Sequence, residues 1–546
     1  MVDVGMNTII LCGGKIDYVH LPISTNTSNA MVPVNGKPVI GWILEDLIQK
    51  EIREVIVVLR FDDQHLNEFL SRVYAKRIGL ILKVISESKS ILHSLAEGIS
   101  ETASNGVRVI LGDTLITDSF DRPEDFIYVQ QVDGSERWCL VETDQNLMAV
   151  SYMDKSPGVQ NLNLAVCGYY QFKHSTSLKK CLKKVISEGN TQISHLLGEY
   201  QKEHPIRVVK ADNWFDFGNI DNLVKARREL LQSRFFNSLK IDPVLNTITK
   251  VSEMDEKLRE ELKWYELVPE KLKVLSPRII SKEVVEGKLQ LVQEYYGYPT
   301  LAELYLFSDL TVENWNSILK KLIVLTREFR KFSGALEKKD MQLMYSNKTF
   351  DRLATMHNQS QEWKVVLESP EIVINDKTYI NFVKLKPWLD SRINKLIEDA
   401  SNGSIIHGDY CFSNILFDYH SQIIRLIDPR GRFGQPGIFG DPRYDLAKLR
   451  HSIVGLYDYI MADLFELNTR SSLDFQIHFF TNGVPHHVQK SFDDLVIEEG
   501  FNKSDIMFIE ALLFLSMLPL HKEKPSRQKA MYLTGILRLN EIMVCE

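Results

Sequence analysis

Apolar residues in the first 230 positions form short runs that alternate with stretches of helical periodicity. The opening reads, in order, NTIILC (7–12), Gly13 and Gly14, PVIGWILEDLIQKEI (38–52) with apolar residues at helical spacing, and EVIVVLR (54–60). The same order continues with a helix predicted near 64–75, a strand at 79–85, a helix near 91–101 and a strand at RVILGD (108–113). Strands that alternate with helices predict a mainly parallel sheet in an α/β domain.

Two of the predicted strands end in residues that suit ligand binding. Because ligands bind beyond the carboxyl ends of the strands in such sheets, Gly13, Gly14 and Asp113 are expected along one edge. A glycine pair after a strand also occurs in ordinary tight turns, so both interpretations stay open at this point. Further segments with polar residues are NGKPVIGWIL (35–44), LGDTLITD (111–118), DKSPGVQNLNLAVCGYY (154–170) and NWFDFGN (213–219).

Together these segments resemble the sugar-phosphate nucleotidyltransferases, which join a nucleoside triphosphate (NTP) to a phosphorylated sugar or alcohol. The resemblance covers about residues 7–230 and implies a Rossmann-like mixed sheet in a domain of residues 1–230. It also implies that Asp113 and Asp216 bind Mg²⁺ and that Lys155 attracts the substrate phosphate, roles that suit carboxylate and ammonium groups. Taken alone, each aspartate also fits a helix cap or a turn.

The loop after the glycine pair departs from that family's usual GG-x-G-T-R-L and Pro-Lys pattern. Tyr18 stands near the arginine position and Asn29 stands at the lysine position, and neither carries charge. Losing one cation of this kind can cost about 3–4 kcal/mol of transition-state stabilisation. Lys15 and His20 are candidate replacements, and Lys15 fits a solvent-facing turn equally well. The domain is therefore expected either to transfer nucleotide through a different cation or only to bind it.

The second half of the chain carries a more specific pair of segments, SIIHGDYCFSNILFD (404–418) and IIRLIDPRG (423–431). They resemble the aminoglycoside and choline kinase superfamily, whose catalytic loop reads H-G-D-x-x-x-x-N and whose next strand ends in an aspartate. The resemblance implies a protein-kinase-like, two-lobed α+β domain over residues 231–546.

Four residues of these segments match the superfamily's motif. The resemblance implies that Asp409 is the catalytic base for the acceptor hydroxyl and that His407 braces the loop. It implies that Asn414 and Asp428 bind Mg²⁺, because phosphoryl transfer needs in-line positioning and charge neutralisation.

Upstream residues extend the same resemblance. Lys250 and Glu261 resemble the lysine that contacts the ATP phosphates and the helix glutamate that pairs with it. A solvated surface lysine and an ordinary helix charge explain them about as well. Glu294 begins the segment where adenine usually meets backbone groups, and Asp445 resembles the superfamily's aspartate at the start of a helix.

Composition narrows the class of protein. The 546 residues are 44% apolar and 25% charged with a net charge of -7, which is typical of a soluble multidomain protein and excludes a basic surface for nucleic acid. Six scattered cysteines indicate a reducing cytoplasm. No signal peptide is visible, and the apolar stretch 507–520 is too short to span a membrane and contains Glu510.

An alcohol kinase joined to a nucleotidyltransferase predicts a two-step reaction with Mg²⁺, ATP and a second NTP, for which CTP is our expectation. ATP would phosphorylate a sugar or small alcohol, and the second NTP would convert that phosphate into an NDP-linked donor for surface polysaccharide. The chain broadly resembles bifunctional proteins of capsule biosynthesis. The alternatives are a kinase with an inactive, nucleotide-binding regulatory domain, and an antibiotic-modifying kinase. The sequence leaves the acceptor and a homo-oligomeric state open.

Overall fold

The structure is a computed structural model that describes residues 6–14, 28–102, 104–132, 138–154, 163–218, 220–231, 237–252, 255–308, 310–400, 402–481 and 484–545. The chain forms two compact units, Met1–Leu230 and Leu231–Glu546, which we call the N-terminal and C-terminal units.

The N-terminal unit alternates strands and helices. Its strands are β1 (Met6–Leu11), β2 (Pro33–Val34), β3 (Lys37–Pro38), β4 (Glu54–Arg60), β5 (Gly79–Ile85), β6 (Gly106–Leu111), β7 (Thr114–Ile116), β8 (Phe126–Gln131), β9 (Cys139–Thr143), β10 (Ala149–Asp154), β11 (Leu164–Phe172), β12 (Arg207–Lys210) and β13 (Trp214–Asp216). Its helices are α1 (Val39–Gln49), α2 (Gln64–Phe69, continued by a π-helical turn, Leu70–Tyr74), α3 (Ile91–Ser100), α4 (Ser175–Ser187), α5 (Ile193–Tyr200) and α6 (Ile220–Glu229). Up to β6 these elements confirm the predicted order of strands and helices.

Nine strands of this unit form one mixed sheet. Strand β1 lies at its centre and pairs in parallel with β4 and β6, while β5 pairs in parallel with β4. Strand β11 pairs antiparallel with β6 and β8, and β12 is parallel to β8. The predicted Rossmann-like mixed sheet is therefore confirmed for the N-terminal unit. Because Leu11 stands beside Leu111 in the register, the loops after β1 and β6 leave the sheet next to each other.

Helix α3 shows why the central strands are continuous apolar runs. Its buried residues Leu92, Leu95 and Ile99 belong to the same core cluster as residues of β1 and β4. The helix approaches the sheet closely at Gly98, where a Cβ atom would lie 2.8 Å from both Ile9 Cγ2 and Val58 Cγ2. Strands covered in this way bury both faces, which explains their lack of polar alternation.

The C-terminal unit mixes helices with small sheets. Its strands are β14 (Asn237–Asp242), β15 (Thr247–Ser252), β16 (Ile279–Val285), β17 (Lys288–Glu294), β18 (Ser333–Gly334), β19 (Glu371–Ile374), β20 (Lys377–Ile380), β21 (Gly403–Ile405), β22 (Ile415–Asp418), β23 (Ile423–Leu426), β24 (Arg432–Phe433), β25 (Gln435–Pro436), β26 (Phe439–Gly440), β27 (Phe465–Ser471) and β28 (Asp474–Phe479). Its helices are α7 (Asp255–Leu267), α8 (Glu270–Lys273), α9 (Leu301–Phe307), α10 (Val312–Arg330), α11 (Lys338–Met341), α12 (Lys348–Gln359), α13 (Gln361–Glu368), α14 (Phe382–Glu398), α15 (Pro442–Ile453), α16 (Tyr457–Met461), α17 (Val484–Glu498), α18 (Lys503–Met517) and α19 (Pro525–Cys545).

This unit begins with an antiparallel sheet in the order β14-β15-β17-β16, and α7 packs against it. Leu258 and Leu262 of α7 form an apolar cluster with Leu289 and Leu291 of β17. Residues of β15 alternate between buried and half-buried positions, so Lys250 lies on the same buried face as Ile248. The alternation along β15 therefore places Lys250 on the buried face, where it pairs with Glu261 of α7.

Helix α18 and the 3-10 turn that follows it together span Lys503–His521. Among the described residues, this segment is long and apolar enough to cross a membrane by length and composition, so the prediction that the stretch 507–520 is too short was wrong about the length of the helix. However, 67% of its most apolar window is buried inside the protein, and Glu510 in this helix pairs with the buried guanidinium of Arg450. Core helices of globular proteins have the same properties, so this segment is weak evidence for a membrane span.

Candidate active sites

The loops after β1 and β6 border a cavity of about 300 Å³ in the N-terminal unit. Gly13 and Gly14 line it from the first loop and Asp113 lines it from the second. A Cβ atom on Gly13 would lie 2.6 Å from Ser88 Oγ, so a side chain at this position would displace the Ser88 hydroxyl. Helix α3 begins at the same cavity, with Ser90 as its N-cap. Backbone amides of a glycine-containing loop and of a helix N-terminus suit phosphate groups.

Asp113 and Asp216 face one small space beside this cavity. Strand β13 pairs with β7 so that Asp216 stands opposite Thr114, next to Asp113. A Cβ atom on Gly218 would lie 3.1 Å from Asp216 Oδ1 and 3.3 Å from Asp113 Oδ2. Burial raises the pKa of both carboxyls, and the charge of Asp113 adds to this effect at Asp216, whose pKa rises to about 6. A divalent cation would stabilise both ionised carboxylates, so the pair fits Mg²⁺.

Asn29 contacts the first of these carboxylates directly. Its Nδ2 atom donates to Asp113 Oδ2 at 3.2 Å, and its backbone amide donates to Gly14 O at 3.4 Å. Arg60 contacts the loop itself by donating to Gly13 O at 3.2 Å. Among the described residues that line the cavity, none is lysine or arginine. Among the described lining residues, the only charged side chain is therefore Asp113.

Two predicted site residues, Lys15 and Lys155, lie outside the described residues. The same holds for Tyr18 and His20, on which the departure from the family pattern rests. Their roles stay predictions.

In the C-terminal unit, one loop between β21 and β22 carries His407, Asp409 and Asn414. Asn414 Nδ2 donates to the carbonyl oxygen of Asp409 at 2.9 Å, which fixes the spacing of the two residues. The carboxylate of Asp445, on α15, accepts the backbone amides of His407 and Gly408 at 2.7 and 2.9 Å. Burial nevertheless raises the pKa of Asp445 to about 7. Two groups therefore fix the conformation of this loop: the Asp445 carboxylate of α15 and the side-chain amide of Asn414, which belongs to the loop itself.

The side chain of His407 is fully buried. Its ring packs edge to face against Trp264 at 5.8 Å, and Trp264 Nε1 donates to Ile406 O at 2.8 Å. Burial lowers the pKa of His407 to about 4, so the imidazole is neutral at pH 7. A neutral, packed ring is consistent with the bracing role and unsuited to proton exchange at neutral pH.

Asp409 forms an ion pair with a lysine that the sequence did not point to. Lys448 Nζ lies 2.9 Å from Asp409 Oδ1, and Lys448 is buried. Burial opposes ionisation of Asp409, but Lys448 and Arg430 outweigh it and hold the pKa of this carboxyl well below its ordinary value. Asp409 is therefore ionised at every physiological pH.

Lys250, Glu261 and Asp428 converge from three separate elements. Lys250 Nζ lies 2.6 Å from Glu261 Oε1 on α7 and 2.5 Å from Asp428 Oδ1 beyond β23. Burial opposes the charge on Lys250, yet the two carboxylates raise its pKa above the ordinary value. The loop after Asp428 passes so close to α7 that a Cβ atom on Gly431 would lie 2.0 Å from Glu260 O. That close approach brings Asp428 within reach of the lysine.

Glu294 lies apart from these three residues, at the end of β17. Its carboxylate accepts the hydroxyl of Tyr296 at 2.7 Å and the backbone amide of Arg278 at 3.1 Å. Its own amide donates to Arg278 O at 3.0 Å. The Glu294 side chain therefore links the end of β17 to Arg278 and Tyr296, and its predicted role in nucleotide binding stays a prediction.

The sequence analysis did not identify three of the side chains at these sites. Lys448 and Arg430 flank Asp409, and Asn222 donates to Asp216 Oδ2. Lys448 follows Asp445 by three positions on α15, so the motif Y-D-L-A-K contained a helical i,i+3 pair that faces one loop. That spacing is the signal that could have identified it.

The nucleotidyl transferase family matches residues 7–233 of the chain. The bifunctional protein GlmU of Methanococcus maripaludis is 25% identical over 235 residues, which cover 38% of this chain and 54% of that protein. Glucose-1-phosphate thymidylyltransferase of Mycolicibacterium smegmatis is 24% identical over 235 residues, which cover 40% of this chain and 81% of that enzyme. The chain spans about half the length of the GlmU relatives that it matches.

Solved structures also align with part of the chain. UDP-glucose pyrophosphorylase from Acinetobacter baumannii has a TM-score of 0.36 and 15% identity, covering 41% of this chain and 93% of that one. HddC from Yersinia pseudotuberculosis has a TM-score of 0.34 and 17% identity, and the alignment covers 41% of this chain and 98% of that one.

The family match coincides with the N-terminal unit. That unit is therefore a nucleotidyltransferase domain, homologous to GlmU and to glucose-1-phosphate thymidylyltransferases.

Proposed function

We propose that the chain is a bifunctional enzyme: its C-terminal unit phosphorylates a sugar or small alcohol with ATP, and its N-terminal unit joins that phosphate to an NTP. The observation that carries the kinase half is the convergence of Lys250, Glu261 and Asp428. We interpret the C-terminal unit as a protein-kinase-like domain of residues 231–546, with the β14-β15-β17-β16 sheet and α7 as its smaller lobe. The nucleotidyltransferase half is supported by the family match and by the paired carboxylates at the cavity.

In the C-terminal unit, Lys250 binds the ATP phosphates and Asn414 and Asp428 hold Mg²⁺, which when bound neutralises phosphate charge. Asp409 orients the acceptor hydroxyl and receives its proton. The hydroxyl oxygen forms a bond to the γ-phosphorus while the bond from that phosphorus to the β,γ-bridging oxygen breaks, and ADP leaves. Lys448 keeps Asp409 ionised before the proton arrives.

In the N-terminal unit, the NTP phosphates lie against Gly13 and Gly14, and Asp113 and Asp216 hold Mg²⁺. An oxygen of the phosphorylated sugar or alcohol attacks the α-phosphorus, and pyrophosphate leaves. Lys155 attracts the incoming phosphate, as the resemblance to nucleotidyltransferases implies. Lys15, next to the glycine pair, supplies the cation that the family's arginine and lysine usually provide.

The remaining assignments rest on resemblance. We propose CTP as the second NTP, an NDP-linked donor for surface polysaccharide as the product, and the cytoplasm as the location. All six cysteines are free thiols, which supports a reducing compartment.

A second candidate function is favoured by one observation. Asn29 occupies Asp113 Oδ2 with a neutral amide, and the described lining residues of the cavity bring no cation to the triphosphate. In this second function, the N-terminal unit would bind a nucleotide and regulate the kinase without transferring a nucleotidyl group.

The experiment that separates these functions follows both reactions in the full chain. ATP is supplied with a pool of sugars, polyols and choline, then each of CTP, GTP, dTTP and UTP is added, and products are identified by mass spectrometry. An NDP-linked product with pyrophosphate release supports the bifunctional enzyme. Phosphorylated acceptor with NTP binding but no pyrophosphate release supports the regulatory domain. If ATP is not consumed with any acceptor, the kinase assignment is wrong.

A further inference from the structure

We propose that the acceptor of the C-terminal unit carries an anionic group, a phosphate or a carboxylate, in addition to the hydroxyl that is phosphorylated. The group would be bound by Lys348, Arg352 and Arg430 beside Asp409. This inference rests on the proposed kinase function and names the substrate class for that site.

The first part of the argument is the position of Arg430. Its backbone amide donates to His407 O at 2.9 Å, so Arg430 is attached to the catalytic loop. A Cβ atom on Gly408 would lie 2.9 Å from Arg430 Cβ, and Gly408 has a φ of 77°, so the loop packs directly on the arginine side chain. Arg430 interacts with the charges of Asp409 and Glu260 without pairing closely with either.

The second part is a pair of cations on α12. Lys348 and Arg352 are one helical turn apart, and both are half-buried. Lys348 Nζ lies 3.4 Å from the hydroxyl of Tyr444, and Arg352 Nη1 donates to Ser516 O at 2.5 Å. Tyr444 and Lys448 are one helical turn apart on α15, so Lys348 lies next to the lysine that pairs with Asp409.

The third part is the balance of charge. Lys448 is neutralised by its ion pair with Asp409, and Lys250 is neutralised by Glu261 and Asp428. Within the described part of the chain, Lys348, Arg352 and Arg430 have no carboxylate within ion-pair distance. The lysines assigned to ATP and to the acceptor hydroxyl are thus paired with carboxylates, and three basic side chains beside them are without an ion-pair partner among the residues that the structure describes.

Half-buried positive charges repel one another when no anion is present. Burial lowers the pKa of Lys348 well below its ordinary value, and the charges of Arg430, Lys448 and Arg352 lower it further. An anion bound among them removes this repulsion and gains charge-assisted hydrogen bonds. A cationic acceptor such as choline or an aminoglycoside would meet the opposite, unfavourable field.

An alternative use of the surplus charge is to bind the triphosphate of ATP. The two uses differ in which Michaelis constant depends on the cations. If Lys348 binds the acceptor, its replacement raises KM for the acceptor and leaves KM for ATP nearly unchanged.

The test compares acceptors that share a carbon skeleton but differ in charge. The full chain is assayed for ADP release with glucose, glucose 6-phosphate, glucuronate and glucosamine, and with glycerol, glycerol phosphate, glycerate and choline. We expect kcat/KM for one anionic member to exceed that of its neutral analogue by about 10-fold or more, with the cationic members poorest. Preference for the phosphate or for the carboxylate member identifies the anionic group.

Variants then assign the effect to the cluster. Lys348→Met should raise KM for the preferred anionic acceptor about 10-fold, with KM for ATP within about 2-fold of wild type. Lys348→Arg should restore most of the affinity, and Lys364→Met, an exposed lysine on the next helix, serves as the matched control. Thermal unfolding of each variant excludes a folding defect.

Two outcomes would overturn the inference. Equal kcat/KM for neutral and anionic members, or a rise in KM for ATP instead of the acceptor in Lys348→Met, refutes it while the kinase function stands. No ATP consumption with any acceptor refutes the kinase function, and the inference falls with it.

Discussion

Replacing Asp409 by asparagine tests the proposed kinase mechanism and the ion pair at its centre together. Asparagine keeps the shape of the side chain but can neither accept the acceptor proton nor neutralise Lys448. We therefore expect Asp409→Asn to lose both activity and stability. Adding a second substitution, Lys448→Met, should restore stability but not activity.

The sizes of these losses follow from the geometry. The Lys448 and Asp409 side chains are 6% and 27% exposed, with 2.9 Å between Nζ and Oδ1. Removing one partner costs about 3–5 kcal/mol for a buried pair and less than about 1 kcal/mol for an exposed one. Asp409 lies between these limits, so we expect about 2 kcal/mol, or about 4 °C in the melting temperature. Loss of the base should lower phosphoryl transfer about 10³-fold or more.

The assay measures ADP release and thermal unfolding for wild type, Asp409→Asn, Lys448→Met and the double variant. Methionine fills the volume of the buried lysine without charge, so the double variant should melt above Asp409→Asn. Its activity should stay as low as that of Asp409→Asn, because the base is still absent.

Three results would refute this reasoning. Asp409→Asn with more than about a tenth of wild-type activity would exclude Asp409 as the base. A double variant that regains activity would show that Asp409 acts only by neutralising Lys448. A double variant no more stable than Asp409→Asn would show that an unpaired Lys448 does not destabilise the fold.

Three further predictions concern single residues. Gly13→Ala should weaken NTP binding about 10-fold in isothermal titration because its Cβ would lie 2.6 Å from Ser88 Oγ. Gly14→Ala, whose Cβ would have its nearest protein contact at 3.4 Å, should weaken binding less. Equal effects would argue against close packing of the loop at Gly13. Asp428→Ala should lower phosphoryl transfer about 10³-fold by removing a Mg²⁺ ligand, and retention of about a tenth of the activity would contradict that role. The pKa of His407 is about 4 in the folded state and 6.5 in the unfolded state. Between these two pH values the unfolded chain binds more protons than the folded chain. Wild type therefore loses stability as the pH falls from about 6.5 to about 4. The gap in urea midpoint between wild type and His407→Asn should therefore be smaller at pH 4.5 than at pH 7.5, and a constant gap would show that His407 does not titrate this way.

The sequence by itself determined the main strands and helices of the N-terminal unit up to β6 and supplied the candidate residues at both sites. The hydrophobic pattern located these elements for two physical reasons. A continuous apolar run indicates a strand buried on both faces, and apolar residues at helical spacing indicate a helix buried on one face. The H-G-D motif and its asparagine brought Asp409 and Asn414 together because five positions separate them on a single loop. Local spacing was sufficient in these cases.

The tertiary structure decided which distant side chains share a site. Lys250 and Asp428 are 178 positions apart, and only the packing of α7 against the sheet and the close approach at Gly431 bring them to 2.5 Å. Asn29 contacts Asp113 because parallel strands place two loops side by side, which a one-dimensional pattern cannot express. Lys348 has no carboxylate within ion-pair distance among the described residues, and this depends on side chains from several elements that only the folded chain brings together.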